Sequence, residues 1–276
     1  MLNEGEIIDQ ETLKELMSQP QSVTGQYLTN YTPSYNQHLK LSNHYIQINN
    51  ADVFNLKNIS TRITSNSLNV ITGVFGLGKS ILVFGVHAKM TPNKENHLDE
   101  IDEIVEINQH PIHRMKRSNI ATYIDLYRDI CKLFSKTREA KEKEIKSSMF
   151  SFKTKGGRCE NGEGLGYVVS NMLFFKDEEV TCPIYHGQQF QPFVLDIKYN
   201  HLNIKEVLEL SVAKALTFFN VYTSIREKLS YLDKVELEYL QLGQSLMALS
   251  GGEVQRLKLA KSFLTNKSKH ILYLLD

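Results

Sequence analysis

Gly73-Val-Phe-Gly-Leu-Gly-Lys-Ser80 decides the fold. It fits the pattern G-x-x-x-x-G-K-[ST], a glycine-rich turn made to hold phosphate. The run before it, Ser67–Thr72 (SLNVIT), is short and rich in branched side chains, which predicts a buried strand. The run after it, Ser80–Ala88, predicts a helix. That context matters physically. Backbone N–H groups of the turn converge on phosphate oxygens, and the helix N-terminus adds positive potential. Gly73, Gly76 and Gly78 allow the turn, Lys79 reaches the β- and γ-phosphates, and the Ser80 hydroxyl meets Mg²⁺. ATP and Mg²⁺ are therefore the expected ligands.

Further along, Leu249-Ser-Gly-Gly-Glu-Val-Gln-Arg256 places Ser250, Gly251 and Gly252 at a helix start. Ser is a good N-cap, and exposed N–H groups at such a start can face an anion. The chain's last run, Ile271-Leu-Tyr-Leu-Leu-Asp276, is a buried strand ending on a carboxylate suited to supporting Mg²⁺. Between the two lies Ile107-Asn-Gln109-His-Pro-Ile112, where Gln109 is a candidate contact to Mg²⁺ or an attacking water.

The rest of the chain is consistent with a globular protein of one or two domains. It has 276 residues, 41% hydrophobic and 23% charged. The net charge of +1, from 32 basic and 31 acidic residues, leaves only local clusters to speak for nucleic acid. Residues 113–117 carry His113, Arg114, Lys116 and Arg117, and between Lys132 and Arg158 nine Lys or Arg stand against three Glu. Such cations suit DNA phosphates. They equally suit a solvated helix face, with Glu139 and Lys143 paired across one turn. No run approaches the length of a membrane-crossing helix, and the polar start is not a signal peptide. Cys131, Cys159 and Cys182 do not make a disulfide framework, so a cytoplasmic location is expected. Helix is expected within 3–19, over 119–146, and over 203–219 and 224–233. Residues 20–43 read as a linker, Tyr45–Ile48 and Leu56–Ile63 as strands, and 156–166 as a glycine-rich loop or knuckle.

The octet at 249–256 resembles the signature of ABC ATPases. From Ser80 to Leu249 is 249 − 80 = 169 residues, long for a transporter-type domain. Several stretches are similar to the UvrA family of excinuclease proteins. They are NLKNIS at 55–60, NQHPIHRMKRSNIATY at 108–123, GGRCE at 156–160 and YLQLGQSLMALSGGEVQRLKLA at 239–260. GEIIDQETLKELMSQPQSVTGQYL at 5–28 resembles the tail of the family's first ATPase half. The resemblance covers nearly the whole chain. It implies an α/β fold, a P-loop NTPase of the ABC ATPase type with a large inserted signature and zinc-module region. The implied division is 1–43, tail and linker; 44–115, ATP-binding core; 116–244, inserted signature domain; and 245–276, signature helix and terminal strand. It also implies double-stranded, damaged DNA as ligand, a second ABC half or homodimer partner, UvrB, and a role in nucleotide excision repair. In the family, Ser250 and the glycines would cap ATP on the opposite domain.

Three departures qualify these expectations. The family's two C-x-x-C pairs hold zinc, but here they read Cys159-Glu-Asn-Gly162 and Cys182-Pro-Ile-Tyr185. With His186 as the nearest substitute and no fourth ligand, a zinc site is not expected. Phe75 and Leu77 stand where the family favours serine. After Asp276 the family continues with a catalytic Glu, so an ATPase, a paralogue serving antibiotic resistance, and a nonhydrolysing remnant all stay open.

Overall fold

The computed structural model describes residue 10, residues 12–30, 44–85, 101–108, 110, 112, 116–170 and 178–276. The chain divides into two compact units, residues 1–79 with 91–98, and residues 80–90 with 99–276.

In the first unit, α1 (Leu13–Ser18) begins at a capping box. The Thr12 N–H donates to Glu15 Oε2 at 3.0 Å. A second helix, α2 (Val23–Asn30), lies within the stretch expected to be linker. Its Gly25 packs so closely on α1 that a Cβ there would stand 1.9 Å from the Leu16 carbonyl oxygen. The two expected strands form an antiparallel hairpin, β1 (Tyr45–Val53) and β2 (Leu56–Thr64), in register from Tyr45↔Thr64 to Val53↔Leu56. Ile46 and Ile48 bury one face of β1 at the strand period of two, and Ala51 returns to it after a register shift. The predicted strand Ser67–Thr72 does not form. Leu68 and Val70 are exposed there, and none of the described strands pairs with them. A β-branched run needs a neighbouring strand to become one, and propensity alone does not supply it.

In the second unit the chain resumes helically at Ser80. Ile81–Gly85 winds as a π-helix rather than the expected α-helix. The frame is a parallel pair, β3 (Glu103–Ile107) beside the terminal strand, in register from Glu103↔Ile271 to Ile107↔Leu275. Between them in the chain lie the elements expected as insertion and then the signature helix.

That insertion opens with α3 (Ile120–Tyr123), α4 (Tyr127–Phe134) and α5 (Arg138–Glu142), three short helices where one long one was expected. Asp125 in the left-handed region separates the first two, and Thr137 caps the third through its side chain. Then come a short hairpin, β4 (Tyr167–Ser170) with β5 (Glu178–Thr181), then α6 (Pro192–Leu195), the two-residue strands β6 (Lys198–Tyr199) and β7 (Leu202–Asn203), and α7 (Ile204–Leu208), α8 (Val212–Phe218) and α9 (Thr223–Lys234). The predicted helix over 203–219 is broken at Ser211, whose hydroxyl caps α8. A single apolar core joins these pieces, with Phe134, Phe150, Phe190, Phe219 and Leu229 fully buried. Helix α10 (Gly251–Thr265) packs Leu257 and Ala260 into that core and leads to β8 (Ile271–Leu275).

Candidate nucleotide-binding site

The glycine loop has the backbone that its sequence requires. Gly76 and Gly78 both sit at φ +84°, where a side chain would be strained. A Cβ at Gly76 would meet nothing within 4 Å, so conformation and not packing calls for glycine there. The Asn55 amide donates to the Gly76 carbonyl at 3.4 Å, a support that no sequence signal pointed to. Lys79 turns back onto its own loop, with Nζ donating to the Gly73 and Val74 carbonyls at 3.0 Å each. An ammonium held inside the loop is placed for phosphate oxygens in the same way. Phe75 is 99% exposed and Leu77 is exposed, so both departures from the family's serines lie on the open side of the loop.

Ser80 and Asp276 come together although 196 positions separate them: Ser80 Oγ donates to Asp276 Oδ1 at 3.0 Å. Mg²⁺ takes oxygens at about 2.1 Å in octahedral geometry, which makes an octahedral edge about 3.0 Å. The hydroxyl and carboxylate are therefore spaced to sit near one such ion. Asp276 is fixed by its backbone N–H to the Ile107 carbonyl at 3.3 Å and by the Gln255 amide, which donates to its main-chain carbonyl.

The signature helix is held at its start by a reciprocal cap. Ser250 Oγ accepts from the Glu253 N–H, and Glu253 Oε2 accepts from the Ser250 N–H at 2.7 Å. The Ser250…Glu253 spacing announces this. What it does not announce is the network behind it. Tyr239 donates to Glu253 at 2.6 Å, and Arg256 donates to the Glu236 carbonyl at 2.8 Å. Burial works against the charge of Glu253, but the Tyr239 hydroxyl and the Ser250 donors hold its carboxyl below the ordinary range. Ser250, Gly251 and Gly252 themselves are exposed, and a Cβ at Gly252 would meet nothing within 4 Å. Nothing in this chain's packing demands glycine at 252. Lys258, about two turns on, donates to the Asn108 carbonyl (2.9 Å), Asn108 Oδ1 (2.8 Å) and the His110 carbonyl (2.7 Å), tying the helix to the residues on either side of position 109. Gln109, His113 and Arg114 lie outside the described residues.

The cysteines of the knuckle do meet. Cys159 and Cys182 are buried, with sulfurs 3.6 Å apart. That is close to the edge of a thiolate tetrahedron, about 3.8 Å for Zn–S bonds of about 2.3 Å. The other two corners fail. Gly162 has no side chain, and its N–H donates to Cys159 Sγ at 3.4 Å. The Asn161 amide donates to Cys182 Sγ at 3.3 Å. N–H donors aimed at sulfur cannot ligate a cation. Among the described residues no three His, Cys, Asp or Glu converge as metal ligands, and a four-ligand zinc site does not fit. Cys182 is lowered to about 7, first by the Asn161 amide and further by N–H groups of Tyr185 and Ile184, against burial. Burial raises Cys159, and it pushes Cys131 up to about 12.

The basic residues are partly spoken for. Arg117 pairs with Glu163, Arg138 with Glu142 at 2.7 Å, Lys143 with Asp196 at 3.9 Å and buried Arg158 with Glu160 at 3.2 Å. The i,i+4 pair on α5 is thus Arg138–Glu142, and Lys143 turns to Asp196 instead of Glu139. Lys116, Arg117 and Lys153 line a cleft of about 710 Å³ with Asn161 and Gly162. No described helix is long and apolar enough to cross a membrane.

No protein-family profile matches the chain. Among curated proteins, it is similar to the UvrABC system protein A of Oceanobacillus iheyensis (38% identity, 99% of this chain and 30% of that protein). It is likewise similar to that of Aquifex aeolicus (39%, 99% and 31%) and of Bacillus subtilis (37%, 99% and 30%). Among solved structures it matches UvrA2 from Deinococcus radiodurans with a TM-score of 0.87 at 34% identity, over 98% of this chain and 34% of that one. The chain spans about a third of the length of the relatives it matches. Over nearly its whole length the chain is thus similar to the C-terminal part of UvrABC system protein A, and its α/β, ABC ATPase-type fold matches that of UvrA2.

Proposed function

We propose that this chain is an ATP-binding segment of a UvrA-type ATPase that takes part in recognising damaged DNA during nucleotide excision repair. The meeting of Ser80 with Asp276 carries the reading, because it joins the hydroxyl after the phosphate loop to the carboxylate of the terminal strand. Gly73, Gly76, Gly78 and Lys79 bind the phosphates. Ser80 and Asp276 hold Mg²⁺, which when bound neutralises phosphate charge, and Gln109 belongs beside it. Ser250, Gly251 and Gly252 face the ATP of a second ABC half, either in the same polypeptide or in a homodimer partner. The exposed helix start and the unforced Gly252 support that role. The basic cleft and the lysines of 132–155 meet duplex phosphates, and the assembly works with UvrB in the cytoplasm. The names of the curated relatives favour repair over drug protection.

Calorimetry of ATP binding to the parent and to Lys79→Ala tests the site. The expected result is at least about tenfold weaker binding, the equivalent of one charge-assisted hydrogen bond. Equal affinities would refute the assignment.

A further inference from the structure

The two knuckle cysteines have a use that zinc does not explain. Cys159 and Cys182 are held by backbone on both sides. The Cys159 N–H donates to the Gln189 carbonyl at 2.9 Å and the Cys182 N–H to the Gly166 carbonyl at 3.0 Å, directly after the Tyr167↔Thr181 pair of the β4–β5 hairpin. Their sulfurs stand 3.6 Å apart, against about 2.05 Å in a disulfide, so a small side-chain rotation closes the gap. Each sulfur already accepts an N–H, from Gly162 and from Asn161. Both of those residues also line the cleft of about 710 Å³, together with Lys116, Arg117 and Lys153. Glu163 lines it too and pairs with Arg117, and a small oxidant entering there arrives at the Asn161–Gly162 segment whose N–H groups donate to the two fully buried sulfurs. Cys131 is placed differently. It is buried against the Phe150 carbonyl, to which it donates at 3.4 Å.

We propose that Cys159 and Cys182 form a peroxide-sensitive dithiol that closes into a disulfide across the glycine-rich knuckle. The Cys182 thiolate attacks one oxygen of hydrogen peroxide. The O–O bond breaks, hydroxide leaves and takes up a proton, and Cys182 carries a sulfenic acid. The Cys159 sulfur then attacks Cys182 Sγ. The S–O bond breaks, the proton of Cys159 goes to the departing hydroxide, and the S–S bond forms. In sum two thiols are oxidised by two electrons, and one peroxide is reduced to two waters. A cellular thiol reductant reopens the link, as expected of disulfides that form transiently in a reducing compartment. This proposal does not depend on the nucleotide site.

The test uses the full reduced chain, treated with increasing hydrogen peroxide, alkylated under denaturing conditions and mapped by peptide mass. The expected product is one linked peptide pair containing Cys159 and Cys182, lighter by two hydrogens, with Cys131 alkylated and with dithiothreitol restoring all three thiols. The parent chain gives the result directly, so no variant needs to fold, and Cys131→Ser should give the same link. The proposal is overturned if both knuckle cysteines remain alkylated, if Cys182 proceeds to sulfinic acid without a link, or if Cys131 is the partner. It is also overturned if the chain purifies with one zinc that blocks the reaction.

Discussion

Lys258 Nζ lies 2.8 Å from Asn108 Oδ1 and 2.9 Å from the carbonyl oxygen of the same residue, gripping it through both main chain and side chain. The ammonium belongs to the signature helix, and Asn108 directly follows β3. A third bond to the His110 carbonyl completes the ammonium's donor capacity. One side chain therefore fixes Asn108 and His110, on either side of position 109, to the signature helix. Burial shifts this lysine's pKa downward.

Lys258→Met should keep the aliphatic stem and lose all three bonds. We expect a loss of about 1–2 kcal/mol in urea unfolding, since water can reach the half-exposed acceptors. Faster hydrogen exchange should be confined to 107–112. Unchanged exchange there would show that the ammonium does not order the segment.

Gly252→Ala separates partner function from fold. With nothing within 4 Å of the added methyl, thermal stability should stay within about 0.5 kcal/mol of the parent or improve slightly. ATP-dependent self-association, read by sedimentation, should nevertheless fall. A variant that melts early, or one that associates normally, would remove Gly252 from the interface with a second nucleotide.

Ser80→Ala should weaken the Mg²⁺ dependence of ATP binding. The parent is expected to bind Mg-ATP more tightly than ATP with chelator. The variant should lose about tenfold or more of that difference, because one oxygen of the pair with Asp276 is gone. Calorimetry with and without Mg²⁺ reads it, and an undiminished Mg²⁺ effect would place the ion elsewhere.

The nucleotide motifs were legible because each is a local pattern with a fixed purpose. The loop at 73–80, the cap at Ser250 and the terminal strand stand where the spacing predicts, and Asp276 directly follows the strand that pairs with β3, at an exposed end. What was illegible depended on distant partners. SLNVIT has the composition of a strand but no described neighbour, so it forms no strand and is exposed. The long helix expected at 119–146 is cut by Asp125, whose left-handed backbone no periodicity reveals. Tyr239, Asn55 and Lys258 work through single bonds to atoms remote in sequence. The fading of the two C-x-x-C pairs could be read directly, but not that the surviving sulfurs still meet.

Asp125 offers a pH test. Its hydrogen bond to Lys261 chiefly holds the carboxyl below the ordinary value, with further help from the Lys228 and Arg128 charges. A depressed carboxyl contributes stability that is present above its unfolded pKa and lost as pH falls through the folded one. Asp125→Asn, which tolerates the left-handed backbone, should therefore be less stable than the parent near about pH 7, with the gap narrowing steadily as pH falls below about 4. Asp125 is exposed and Lys261 half-buried, so solvent screening on the carboxylate should keep the gap under about 1 kcal/mol. A gap that persists in acid would assign the effect to packing instead.

DNA binding should lose about one unit of salt slope for each phosphate contact removed, so Lys153→Ala is expected to flatten log affinity against log salt by about one. The loss should be the same on intact and lesion-bearing duplex, since a lysine on a phosphate reads no base. A change confined to the lesion substrate would make Lys153 a reader of damage.

The parallel pairing of β3 with β8 also sets a timetable for synthesis. From Ile107 to Ile271 is 271 − 107 = 164 positions. At about 5–20 residues per second, β3 waits roughly 8 to 33 seconds for its partner to leave the ribosome. Over that interval it is an unpaired edge, the kind of strand that recruits other chains. Its sequence, Glu103-Ile-Val-Glu106-Ile, breaks the apolar run with two carboxylates, and Asp102 precedes it. Like charges of that density repel a second copy of the same strand. Ser80 and Asp276 can therefore meet only after β8 has been made.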